Sequence, residues 1–385
     1  WNQNIRSPGG GDNLFLSSVV ALNPDTGDYI WHYQTTPGDT WDYTATQHMI
    51  LAELEIGGEL RKVIMQAPKN GFFYVLDRVT GEFISAEEYI PMTWATHVDP
   101  ESGRPVESDN ARYQVANPLL DLPLKEQVAV LAAMTAEEIE AAYHKPGPLG
   151  GHNWHPMSYS PDTGYVYIPA LDMPFGYGNE PEFTYEQGRW NLANDWRLGM
   201  PTGDQGVDDK VDGLLRGFIS AWDPVAQKEV WRIQHAGTWN GGMLSTHGNL
   251  IFQGNSSGQF VAYRADTGEE LWSAPAQTGV IAPPISFEID GEQYVTVVAG
   301  WGGAFALTAA AAEGYNLKPR GRILTYKLEG KVELPPVVDI AAVLPEPPPI
   351  DATDEEITHG KFMYHKYCGV CHGPGVRSGG VLPDL

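Results

Sequence analysis

Cys368-Gly-Val-Cys371-His372 concentrates more reactive side chains than any other stretch of this 385-residue sequence. Two thiols three positions apart can add across the two vinyl groups of a haem, and an imidazole that follows at once can then lie beneath the iron as proximal ligand. A structural zinc site needs four ligands, and these are the only two cysteines in the chain. A thioredoxin-type Cys-x-x-Cys is expected near a βαβ pattern, which the sequence does not suggest. Upstream, Thr353-Asp-Glu-Glu356 reads as a capping box opening a helix that carries Phe362, Tyr364 and Tyr367 towards the motif. The bulk of the chain is read as the part that feeds electrons to this haem.

A helix running into Cys-x-x-Cys-His resembles the start of a c-type cytochrome domain. Such domains usually take a distal methionine from much further downstream, and the thirteen residues after His372 contain none. The opening Trp1-Asn-Gln-Asn is not an initiator. The sequence therefore reads as an internal piece of a longer protein. Covalent haem attachment implies export from the bacterial cytoplasm, so a periplasmic location is expected.

What would position such a centre is legible in a degenerate repeat. Its clearest copies are Ala21-Leu-Asn-Pro-Asp25-Thr-Gly27-Asp-Tyr-Ile-Trp31 and Ala262-Tyr-Arg-Ala-Asp266-Thr-Gly268-Glu-Glu-Leu-Trp272, with a looser copy from Ala221 to Trp231. Asp77-Arg-Val-Thr-Gly81 and Asp162-Thr-Gly164 keep the turn without the tryptophan. Each copy reads as strand, turn, strand, with the glycine free to take positive φ and the acid bonding its neighbours' amides. A hairpin unit with one tryptophan buries little alone, but packed radially it makes a β-propeller. Trp31, Trp231 and Trp272 are then packing residues wedged between blades. From Leu124 to His144 the pattern turns helical, with a second capping box at Thr135-Ala-Glu-Glu138 and a stop at Pro146. The expected organisation is a propeller over 1–328 with a helical insertion at about 117–146, a proline-rich linker over 329–350, and the cytochrome start over 351–385.

Composition agrees. Glycine (43), proline (30) and tryptophan (12) suit short strands and tight turns. Acidic residues outnumber basic ones 49 to 24, and a formal charge of −25 opposes binding to nucleic acid or anionic lipid. No run of about 18 apolar residues is present, so no transmembrane segment is expected.

Further stretches carry a family resemblance over essentially the whole chain: Pro8 to Ser18, Thr40-Trp-Asp42-Tyr43, Gln66-Ala-Pro-Lys69-Asn-Gly71, Gly151-His-Asn153-Trp154, Gly237-Thr-Trp239-Asn-Gly-Gly242 and Ala299-Gly-Trp301-Gly-Gly303. They resemble the quinohaemoprotein alcohol dehydrogenases, which use pyrroloquinoline quinone (PQQ). The resemblance implies an all-β, eight-bladed propeller with tryptophan docking motifs, lacking its first blades here, followed by a truncated all-α cytochrome c domain. It implies PQQ, calcium and haem c as cofactors. It also implies an alcohol as substrate and an external cytochrome c, a cupredoxin or a membrane quinone chain as electron acceptor.

By the same resemblance, Asp42 matches the catalytic base and a calcium ligand. An acid suits that place, because oxidising an alcohol requires loss of the hydroxyl proton as hydride leaves the carbon. Lys69 matches a residue that stabilises the reduced quinone. Asn153, Trp154, Trp239 and Trp301 match PQQ contacts, and Trp1 matches a wall of the alcohol pocket. Cys368 and Cys371 would hold the haem covalently, with His372 on its iron. Lanthanide-using relatives carry a further aspartate two residues after the base; Thr44 stands there, which favours calcium. The glutamate and asparagine that complete the calcium shell, the tryptophan floor under PQQ and an adjacent-cysteine disulfide would all lie upstream of Trp1. Structural alternatives stand beside these readings: a loop aspartate in an Asx-turn at 42, an exposed turn lysine at 69, and blade packing for Trp239 and Trp301. The competing functions are a non-catalytic propeller scaffold and a PQQ dehydrogenase acting on a polymeric or heterocyclic alcohol or an aldehyde.

Overall fold

The computed structural model describes residues 1–113, 119, 122–180, 182–188, 191–195, 199, 202, 204–301, 320–337, 349–368, 372 and 376. Strands that follow one another in sequence pair antiparallel into meanders. Ile50–Ile56, Glu59–Gln66, Phe72–Asp77 and Phe83–Glu88 form one four-stranded sheet in that order. Ser158–Ser160, Tyr165–Asp172, Arg216–Asp223 and Lys228–His235 repeat it, as do Met243–Thr246, Leu250–Gly254, Gln259–Arg264 and Glu270–Pro275. A pair, Ser18–Leu22 and Tyr29–Gln34, precedes these sheets, and a three-stranded sheet of Ile285–Ile289, Glu292–Ala299 and Arg322–Lys327 follows them.

The repeated phrase makes the third and fourth strands of the meander. Ala21, Ala221 and Ala262 stand directly opposite Trp31, Trp231 and Trp272, and the register shifts by one residue immediately after each alanine. Gly27, Gly81, Gly164 and Gly268 all take φ near +75°, the left-handed conformation that a side chain resists. One detail differs from the sequence reading. The side chain that bonds the turn amides in the first copy is Asn23, not Asp25: its Oδ1 accepts from the amides of Asp25 and Thr26. Asp77 and Asp223 occupy the same register and do the same. The bonding position thus precedes the Asp-Thr-Gly triplet, where an amide and an acid serve equally.

Successive sheets pack face to face. Val63, Met65 and Phe73 of one four-stranded sheet share a core with Val166, Ile168 and Phe218 of the next. Tyr167 and Ile219 then pack on Ile251 and Val261, and Phe260 packs on Val295 and Leu324. Each such side chain contributes about 1.5–3 kcal/mol when fully buried. Because, among the described residues, successive sheets pack face to face in chain order, the arrangement is propeller-type. Trp31 lies on the turn of the following sheet, where a Cβ on Gly81 would approach its ring to 2.7 Å. Trp231 lies likewise on Gly268, at 2.8 Å. Trp272, expected to be wedged between blades, is instead 40% exposed among the described residues, edge-on to Phe260 and Tyr326.

The helical stretch divides into Leu124–Ala133 and Ala136–Ala142. The break falls at Met134, whose extended backbone (ψ 150°) lets Thr135 cap the second helix; both bonds of the Thr135/Glu138 capping box are formed. A third helix, Gln205–Asp212, capped by Asp204, completes a small core of Leu131, Ile139, Tyr143, Val207 and Leu214. The helix Asp354–Tyr367 forms behind its own Thr353/Glu356 capping box. Residues 338–348 of the proline-rich stretch lie outside the described residues. Among the described residues, no helix is long and apolar enough to cross a membrane.

Candidate active site

Strand alternation decides where the chemistry collects. In an antiparallel meander, the connections from sheet to sheet and from the second to the third strand emerge at one end, and the Asp-x-Thr-Gly hairpins emerge at the other. Asp42 and the 149–154 segment lie on connections leading into a four-stranded sheet, as does Trp239. Lys69 and Trp301 lie on, or at the start of, second-to-third strand connections. All of these residues therefore belong to the same end of the sheets.

Asp42 has φ +67° and follows a buried loop in which Thr40, Trp41 and Tyr43 expose nothing. Trp41 stacks on Tyr43 with centroids 5.3 Å apart, and Trp94 packs against both. Asp42 itself keeps a third of its side chain open to solvent, and its Oδ2 accepts from Lys69 Nζ at 2.9 Å. Lys69 is buried, not an exposed turn lysine. Gly150 explains how it fits: a Cβ there would stand 2.4 Å from Lys69 Cβ and Cγ, so a bare backbone covers the lysine stem. The Gly151 amide donates to the Lys69 carbonyl at 2.9 Å and fastens the two connections together.

From that point the site continues through aromatic rings. Asn153 donates to the Leu149 carbonyl and accepts from the Trp154 amide, so its side chain shapes the loop. Trp154 is 45% exposed although His155 beside it is buried, and it stacks on that ring with centroids 4.1 Å apart. His155 meets Trp239 edge-on at 4.6 Å. Trp239 and Trp301 are buried in one cluster with Leu171, Met173 and Ile281. Trp1 packs edge-on to Tyr177, whose hydroxyl donates to the Trp41 carbonyl, and so belongs to the aromatic wall beside Asp42.

Three participants escaped the sequence reading. Asp39 is a buried carboxylate three residues before Asp42. His152 is wholly buried between the carbonyls of Ala67 and His155, and burial lowers its pKa to about 4. His155 is lowered to about 3 by burial and then by His152, and its Nε2 has no hydrogen-bond partner among the described residues. The signal for His155 was its place immediately after Asn153-Trp154.

An exposed indole and a buried cation on backbone-linked connections would suit a planar, negatively charged cofactor, held by stacking and charge. For a hard cation the donor set is thinner. Among the described residues, no three His, Cys, Asp or Glu side chains converge, so Asp42 would contribute a single carboxylate to a shell completed elsewhere. At the haem motif, Cys368 closes the last helix and accepts from the His372 amide at 2.8 Å. That bond links the backbones of Cys368 and His372. Cys371 lies outside the described residues, as do Gly302 and Gly303.

Fold and site together define a propeller-type redox protein candidate, and sequence comparison gives the family. Residues 6–195 and 217–295 match the PQQ family model described as glucose/ethanol/alcohol dehydrogenase, β-propeller domain; the chain belongs to that family. The chain is 47% identical over 389 residues to the quinohemoprotein alcohol dehydrogenase ADH IIB of Pseudomonas putida, covering 100% of this chain and 51% of that protein. To the quinohemoprotein alcohol dehydrogenase of Comamonas testosteroni it is 42% identical over 395 residues, covering 100% and 50%. Among solved structures, ADHIIG from Pseudomonas putida aligns with a TM-score of 0.83 at 44% identity, over 100% of this chain and 53% of that one. A europium-containing methanol dehydrogenase aligns at 0.63 and 29% identity, over 82% and 50%. The chain spans about half the length of these relatives.

Proposed function

We propose that this chain forms the catalytic half of a quinohaemoprotein that oxidises alcohols to aldehydes or ketones, with Asp42 as the base. The observation that carries the reading is the pairing of Asp42, open on one side, with a buried Lys69 at 2.9 Å, whose carbonyl is bonded by Gly151 of the segment that carries the exposed Trp154. PQQ, when bound, supplies the hydride acceptor, and calcium supplies Lewis acidity beside it.

The chain's own residues divide the rest. Asp42 accepts the alcohol's hydroxyl proton as its C–H bond breaks. Lys69 holds that carboxylate in place and keeps positive charge where anionic charge develops. Trp154, resting on His155, which in turn meets Trp239, offers a flat apolar face, and Trp301 packs in one cluster with Trp239. Trp1 and Tyr177 would wall the alcohol pocket. Thr44, in place of a second carboxylate, supports calcium over a lanthanide, although a europium enzyme shares the fold.

Cys368, Cys371 and His372 would attach and ligate a c-type haem that takes electrons singly to an external cytochrome, a cupredoxin or a membrane quinone chain. On this reading the propeller has eight blades with Trp31 and Trp231 as docking tryptophans and extends to residue 328. A linker over 329–350 then joins it to a cytochrome domain in the periplasm.

The test uses the full-length enzyme loaded with PQQ and calcium, mixed anaerobically with ethanol while the haem spectrum is followed. Rapid reduction that needs both cofactors is expected, and Asp42→Asn should abolish most of it while PQQ and haem stay bound. Near-wild-type reduction by Asp42→Asn would remove Asp42 from the mechanism.

A further inference from the structure

We infer that Asp39 is the positioning residue for Asp42: one carboxylate oxygen clamps the backbone amides on either side of Asp42 and so holds its side chain against Lys69. The inference rests on Asp42 being the base.

Asp39 Oδ1 accepts from the Trp41 amide at 3.0 Å and from the Tyr43 amide at 3.1 Å. These are the residues immediately before and after Asp42. The carbonyls of the same loop are bound by other side chains. Tyr113 Oη donates to Thr40 O at 2.6 Å, Tyr177 Oη to Trp41 O at 2.7 Å, and the Arg6 guanidinium to Asp39 O. Asp39 therefore supplies what the carbonyl partners cannot, an acceptor for the two amides. Without it, both would be left unsatisfied in a loop that excludes water.

The conformation being held is an uncommon one. At φ +67° an aspartate sits in the left-handed region, a strained conformation that persists only where its surroundings impose it. A buried carboxylate is itself expensive, and here burial raises the Asp39 pKa while the two amides oppose that rise. A loop needing only to pack would avoid that cost. Its placement on the two amides flanking Asp42 gives the cost a purpose.

Two roles separate by substitution in the full-length PQQ- and calcium-loaded enzyme. Asp39→Asn keeps an oxygen at Oδ1 and removes the charge, whereas Asp39→Ala removes the clamp. If the clamp positions Asp42, Asp39→Asn should hold kcat within about threefold. Asp39→Ala should lose on the order of a hundredfold in kcat, with PQQ and haem content and alcohol KM little changed. Equal losses in both variants would assign the effect to charge and overturn the inference, as would wild-type kcat in Asp39→Ala. If Asp39→Ala does not accumulate, Asp39→Ser, whose short hydroxyl reaches at most one amide, is read in the same way. A crystal structure of the truncated variant separates this inference from the assignment of Asp42. Asp42 should leave positive φ and lose Lys69; an unchanged 41–43 backbone overturns the positioning role whatever Asp42 does. Asp42→Asn with normal turnover would instead overturn the assignment of the base.

Discussion

Lys69 Nζ and Asp42 Oδ2 lie 2.9 Å apart, and the two partners differ in access to water: 10% of the lysine side chain is exposed against 33% of the aspartate. The cation is fixed in a dry setting while the carboxylate keeps one face free. A surface ion pair would contribute little, but a buried cation beside an open acid fixes the direction in which the acid can act.

Replacing Lys69 by glutamine should keep the fold, because the Gly150 backbone still covers the stem, and remove the charge. The expected loss in kcat is on the order of a hundredfold to a thousandfold, as for deletion of a single preorganised donor. Steady-state turnover with an artificial electron acceptor measures it, and a loss below fivefold would make the lysine structural.

His155 should make the enzyme acid-sensitive. Its pKa falls to about 3 in the fold against 6.5 when free, so between those values only the unfolded chain binds the proton. Stability is then fully present above about pH 6.5 and declines as pH falls towards the folded value, by about 1.4 kcal/mol per pH unit for one proton. In urea titrations from pH 7.5 to 4.5, His155→Phe should flatten the slope by about one proton. An unchanged slope would mean that His155 is already charged in the fold.

Lys145 joins the second insertion helix to the propeller. Its ammonium lies 3.1 Å from Asp172 Oδ1, both side chains being over nine-tenths buried, and it also reaches Glu140. Lys145→Met leaves Asp172 facing the half-exposed Arg216 at 3.4 Å and should cost up to about 3 kcal/mol in thermal unfolding. Adding Asp172→Leu should recover part of that loss. A double variant worse than the single one would mean that the pair stabilises beyond its own desolvation.

Periodicity was a sound guide to the sheets because the Ala–Trp spacing and the turn glycine are local constraints that any hairpin of this type must satisfy. Both capping boxes were legible for the same reason: four adjacent residues contain the whole interaction. Helix Gln205–Asp212 was not legible, since Val207 and Val211 are its only apolar residues and its partners lie some seventy residues away in Leu131 and Ile139. Asp25 looked like the bonding acid in a triplet, but the turn's geometry uses the position two earlier. At the site, Asp42 and Lys69 were identified by resemblance, and their contact required the fold. Asp39 and His155 act through burial and stacking, which leave no spacing rule in a sequence.

The tryptophan–glycine contacts stand at the hairpin end of the sheets, opposite the site. Sheets in radial packing behave as the ribs of a fan, and an indole pressed on the next turn is a shim that sets the angle between two ribs. Thinning a shim at one end alters the gap at the other. The gap that the Trp239 connection spans, between the two sheets wedged by Trp231, should then respond to a residue at the opposite end. Trp231→Leu, remote from every reacting group, should change the KM for bulky alcohols before it measurably lowers the amount of folded enzyme; a change confined to thermal stability would show that the ribs adjust independently. Substrate range in this fold can then drift through packing positions while the chemical groups stay untouched.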